Sequence, residues 1–282
     1  MQSRGEWMKQ GATRPLVGAQ RKEGATDRGR GTLWRVVERL HLPTLVVLLI
    51  GVVIWSLLSQ RFGQYLLPSP GRVLRALDQL VTSGDIWVHI GATLRRIGLG
   101  FGAACGVALV VGFCASRLRP VELVIRDLTA ILNSTSVFVW IVLAMIWFGL
   151  TDRAPVFTTF MITLPVLLSN VLEGVASVDR KLLEMARAYR FGSLDRFVQI
   201  TIPSISPYLL AGMSNAFALA LRVSVIAEIF GVTTGIGYQM NYSRDILRTD
   251  LMFAWAVVLI VVMVVVDRLV FVTISRRVSR WR

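Results

Sequence analysis

Charge is scarce in this chain, and acid scarcer than base. Of 282 residues only 17% are charged, and 17 Asp and Glu stand against 31 Lys and Arg, a formal charge of +14. A soluble protein would rarely combine so little charge with 54% hydrophobic residues and a mean hydropathy of +0.62. The same composition excludes a disordered nucleic-acid-binding chain, because a sequence this apolar is poorly soluble without lipid. Membrane is therefore the expected environment, and no nucleic acid is expected as a partner. Cysteine is limited to Cys105 and Cys114, which a helix would hold about 13 Å apart, too far for a disulfide. His41 and His89 are isolated, without metal-ligand spacing. A Gly-rich loop ending in Gly-Lys-Ser/Thr is missing, so the chain alone cannot hydrolyse ATP and is expected to bind no cofactor itself. With no Ser/His/Asp set, paired-carboxylate site or metal cluster in view, an enzyme is not expected.

What the chain does have is length in apolar runs. A bilayer-spanning helix takes about 20 mostly apolar residues, and six windows qualify: 40–59, 97–116, 128–150, 154–172, 207–230 and 251–273. The third holds a polar cluster, Asn133 to Ser136, that can break its helix. Gly98, Gly102 and Gly106 recur every four residues in the second and are expected to let a neighbouring helix approach closely. Lys and Arg set orientation. With the N-terminus inside, 21 of them fall on the cytoplasmic side and eight on the other, so both termini are expected to be cytoplasmic. Residues 1–39 read as a basic, disordered cytoplasmic tail, too long and polar to be the start of a cleavable signal peptide. Residues 40–275 form the membrane domain, and 276–282 a second cytoplasmic tail.

The stretch 176–203 between the fourth and fifth windows is long, basic and patterned. Leu182, Leu183, Ala186 and Tyr189 fall at helical spacing, Gly192-Ser193 interrupts, and Leu194, Phe197, Val198 and Thr201 resume until Pro203 and Pro207 stop the run. Two short amphipathic helices at a sharp angle are expected. The residues alone leave open whether they lie on lipid headgroups or form a docking surface.

This segment resembles the EAA loop of ABC-importer permeases. Glu184 and Ala186 match, with Met185 for the first Ala, and Ile200, Ile202 and Pro203 stand at the expected offsets. Arg190 occupies the place of the family's glycine, with Gly192 two residues later. The resemblance runs over about 60–275 and includes Pro68-Ser-Pro70, Gly84-Asp-Ile-Trp87, Thr93-Leu-Arg95, Trp147-Phe-Gly149, Ala227-Glu228 and Gly235-Ile-Gly237-Tyr238. This combination is similar to the nitrate, sulfonate and taurine branch. It implies an all-α membrane fold of about six helices, the type I importer permease fold, in a bacterial inner membrane. It also implies a permease dimer, cytoplasmic ATPase subunits that use ATP, a periplasmic or lipid-anchored solute-binding protein, and a small-molecule substrate. By the same resemblance Glu184, Ala186, Arg187, Arg190, Gly192 and Pro203 would couple the chain to the ATPase, with Gly192 as hinge.

Candidate pathway residues are Arg222, Glu228, Asn133 and Ser136. An ionisable group inside a span normally faces protein or water. Arg222 can face a pathway and meet an anion, or snorkel or pair with a neighbouring helix; Asn133 and Ser136 can line a polar path or satisfy a kink. Competing readings are a self-contained channel or secondary carrier, and a membrane scaffold or enzyme.

Overall fold

The computed structural model of the chain describes residues 42–63 and 65–268. The tails expected at 1–39 and 276–282, His41 and the end of the sixth window lie outside the described residues. Two units divide between Ile54 and Trp55. In the first, the described residues belong to the start of α1 (Leu42–Phe62), a 21-residue apolar helix. Its Val46, Val47, Leu49 and Ile50 are exposed.

The second unit contains α2 (Pro70–Ser83), α3 (Asp85–Ala115), α4 (Arg119–Ser134), α5 (Val137–Phe148) and α6 (Arg153–Ala176). It continues with α7 (Arg180–Ala188), α8 (Ser193–Arg196), a π-helical turn (Phe197–Thr201), α9 (Ile202–Gly231), α10 (Ile236–Asp245) and α11 (Thr249–Asp267). Among the described residues four helices are long and apolar enough to cross a membrane, and α4 with α5 makes a fifth when the bent pair is counted as one span. The described part of the first window adds α1, in which 49–62 is apolar.

The third window breaks where its polar residues fall. Ser134 and Thr135 hydroxyls donate back to the carbonyls of Ala130 and Ile131, the Ser136 hydroxyl caps α5 by accepting from Phe138 N–H, and the helix axes turn by 91°. These side chains satisfy backbone groups that the break would leave unpaired in lipid. The second window differs from expectation, because its helix begins at Asp85, twelve residues before the apolar run.

Close helix packing fixes the bundle. α6 lies between α3 and α9, which run parallel and antiparallel to it, respectively, as the register of contacts shows. A Cβ on Gly100 would stand 2.6 Å from the Val156 carbonyl, and one on Gly112 2.5 Å from Val171 Cγ1. On the other side, Gly212 meets Asn170, Gly174 meets Ile205, and Gly231 meets Ala154. The stripe that admits α6 is therefore Gly100, Ala104, Ala108 and Gly112, all buried. Gly98, Gly102 and Gly106, expected to do this, lie on an exposed face with nothing within 4 Å of an added Cβ. Both stripes have the small-residue spacing of four; the larger side chains of α6 decide which one is used.

Candidate functional site

At one end of the bundle, α6 leads into the 177–203 segment. The Asp179 side chain caps α7, accepting from Lys181 N–H at 2.8 Å. The helix closes with Phe191 N–H on the Ala186 carbonyl at 2.9 Å, the long bond of a Schellman turn, and Arg190 supplies the left-handed residue at φ 56°. Arg190, which stands where the resemblance puts a glycine, thus takes the left-handed conformation that a glycine adopts most easily. Gly192, expected as the hinge, does not have positive φ; its carbonyl accepts from Arg196 N–H at the start of α8.

One expectation for this segment is corrected. Pro203 and Pro207 do not stop the run. A π-helical turn continues directly into α9, with Pro203 in the first helical turn and Pro207 inside. The Pro203 carbonyl, which loses its usual donor because Pro207 lacks an N–H, accepts from the Ser206 hydroxyl at 2.9 Å. Ala186 is buried, whereas Glu184, Arg190, Gly192 and Pro203 are exposed, and Arg187 lies in α7. Leu182, Met185 and Tyr189, spaced three and four apart, are also exposed.

Along α9, Tyr208, Ala211, Asn215, Arg222 and Ile226 are exposed on one helical stripe. The structure gives Arg222 no ion pair among the described residues. Asn133 and Ser136 are exposed at the α4–α5 break.

Glu228 is placed differently: its side chain is 0% exposed and fully engaged at the opposite end of the bundle. Arg96 Nη1 donates to Glu228 Oε1 at 2.8 Å and to the Thr234 carbonyl at 2.7 Å. Arg96 Nη2 donates to Asp152 Oδ1 and to Thr234 Oγ1, each at 2.6 Å, and Nε donates to Asp152 Oδ1 at 3.2 Å. The other carboxylate oxygen of Glu228 accepts from the Thr93 hydroxyl at 2.9 Å and Gly237 N–H at 3.1 Å. Thr93 Oγ1 in turn accepts from Ile236 N–H, and His89 Nδ1 from Gly235 N–H, both at 3.0 Å. Glu228 therefore offers no surface to a solute within its own protomer. Asp152, 46% exposed, also pairs with Arg95 at the rim. The Arg96 guanidinium, with Arg95 beside it, holds the Asp152 carboxyl below the usual aspartate range against a smaller opposing effect of burial.

Arg96 was missed as an intramembrane charge because the apolar run begins only at Ile97. The available signal was periodicity: Ile86, His89, Thr93 and Ile97 share one helical face with the span.

Apolar helices around a tightly packed middle element, a broken span and a shaped loop at one end make a bundle suited to crossing a membrane. Residues 98–280, more than half of the chain, match the family described as binding-protein-dependent transport system inner membrane component. The chain belongs to that family and is a permease subunit of an ABC importer, a multi-pass membrane protein of a transport family that works with a separate ATPase and a solute-binding protein. It is similar to proteins described as aliphatic sulfonates transport permease SsuC. The one from Bacillus subtilis (strain 168) is 24% identical over 87% of this chain and 88% of its own. The one from Escherichia coli (strain K12) is 28% identical over 71% and 78%. The riboflavin transport system permease RibX of Chloroflexus aurantiacus is 27% identical over 78% and 84%. Among solved structures, an amino acid ABC transporter crystallised with histidines has the same fold, with a TM-score of 0.53, 18% identity and coverage of 73% of this chain and 96% of that one. The reading of a self-contained channel or secondary carrier gives way to that of an importer subunit.

Proposed function

We propose that two copies of this chain form the path for a small organic anion of the sulfonate class, with Arg222 as its positive contact. The observation that carries the reading is the exposed position of Arg222 on the α9 stripe, without a partner carboxylate among the described residues. A guanidinium presents planar, paired donors to an oxyanion, and a bare one facing lipid is costly. The sulfonate permeases among its relatives support the same class of cargo. In this reading both termini are cytoplasmic, and ATP is consumed by the partner ATPase. That subunit docks on Leu182, Glu184 and Met185 of α7 and on Tyr189 just beyond it, at an angle to α8 set by the left-handed Arg190; Ala186 anchors the helix inward, and Arg187, Gly192 and Pro203 belong to the same coupling segment. The α10–α11 end with Arg244, Asp245 and Arg248 faces the solute-binding protein.

The test is ATP-dependent uptake by the complete transporter in proteoliposomes, comparing a labelled alkanesulfonate, nitrate and a flavin. Preferential sulfonate uptake supports the reading. Uptake of the flavin alone overturns the anion assignment.

A further inference from the structure

We infer that Arg96 is a positioning residue that sets how readily the α10 end of the bundle rearranges during transport. Its guanidinium joins four separate pieces of chain: its own helix α3, Glu228 on α9, Asp152 at the start of α6, and the 232–235 turn through both polar oxygen atoms of Thr234. The turn is held from a second direction, because Gly235, Ile236 and Gly237 N–H donate to His89, Thr93 and Glu228. Three consecutive amides are thus fixed by side chains, of which Glu228 bonds to Arg96 directly and Thr93 through Glu228. Gly235, at φ 112°, sits so close that a Cβ would lie 2.5 Å from Glu228 Oε2 and 2.7 Å from Arg96 Nη1. The turn cannot shift without breaking several charge-assisted bonds at once.

The clamp is also unequal at its two ends. Glu228 is sealed, but Asp152 reaches the rim, where water and Arg95 compete for it. Arg96 ties α10, which enters the core through Ile236 against Trp255 and Ile86, to the helices α6 and α9 that run to the coupling segment.

This inference rests on the importer reading for its functional half, so the experiment has two arms. In the first, Tyr242 on α10 is replaced by cysteine in a chain carrying Cys105→Ala and Cys114→Ala, and a spin label there reports mobility in the complete transporter. In the second, ATP hydrolysis is measured with and without the solute-binding protein. Arg96→Gln and Glu228→Gln are compared with the conservative Arg96→Lys, and Thr234→Ala serves as a milder variant if the others do not assemble.

The inference expects a more mobile label in the Gln variants and basal hydrolysis raised about 5-fold or more, so that stimulation by the binding protein shrinks, with Arg96→Lys in between. An unchanged label overturns it. Activities lost in equal proportion, with the stimulation ratio intact, also overturn it, since that is what a purely structural role gives. If the wild-type transporter does not respond to a binding protein, the importer coupling fails, and the label arm alone decides the clamp.

Discussion

Arg96 and Glu228, 132 residues apart in sequence, meet at 2.8 Å with both side chains fully buried. Two charges removed from water are costly apart and tolerable together, and here each also satisfies hydrogen bonds of the turn that follows α9. Removing either alone leaves the other uncompensated. Arg96→Ala and Glu228→Ala should each lose about 3–5 kcal/mol of stability. The double variant should lose less than the sum of the two, measured by thermal unfolding of the detergent-purified protein.

The left-handed Arg190 carries a backbone conformation that L-residues other than Asn and Asp rarely adopt. Arg190→Gly should stabilise the loop by roughly 1 kcal/mol, whereas Gly192→Ala should change little. Equal effects at the two positions, read by protease resistance of the 177–203 segment, would contradict the assignment of the turn to Arg190.

Two small-residue stripes on α3 give opposite expectations. Gly100→Leu and Gly112→Leu drive a side chain into α6 and should cost about 1–3 kcal/mol or prevent folding. Gly106→Leu, on the exposed face, should leave the melting temperature of the protomer nearly unchanged. Intact folding of both buried-stripe variants would refute the packing described here.

Asp152 has a depressed folded pKa because of its bonds to Arg96 and Arg95. Its contribution is therefore complete above the ordinary aspartate range and fades as pH falls through the folded value. The stability gap between wild type and Asp152→Asn should be widest near neutrality and close under acid conditions. The gap should be modest, since the side chain is 46% exposed. A gap that widens on acidification has the wrong sign.

Much of this was legible in the sequence. The apolar windows fell on helices, the polar cluster at 133–136 marked the broken span, and the EAA-like residues marked the shaped loop. What could not be read depends on partners distant in sequence. Arg95 and Arg96 look like a loop's charges until Glu228 and Asp152 are brought to Arg96, which lets the helix start at Asp85. Glu228 looked like a pathway group for the same reason. Periodicity could not choose between the Gly98 and Gly100 stripes, because the choice belongs to the side chains of α6. Pro203 sits in the first turn of α9, where a missing N–H costs little, and the Ser206 hydroxyl takes the carbonyl that Pro207 leaves free, so the prolines that sequence logic treats as a stop are tolerated.

The central claim is that this permease conducts an anion past the α9 face that carries Arg222. Uptake of a labelled alkanesulfonate by the reconstituted transporter, wild type against Arg222→Gln and Arg222→Lys, tests it most directly. Loss of a charged contact should lower uptake about 10-fold or more in the Gln variant. The Lys variant should retain an intermediate rate, with membrane levels of all three proteins equal. Wild-type uptake in Arg222→Gln at equal protein levels would contradict the claim.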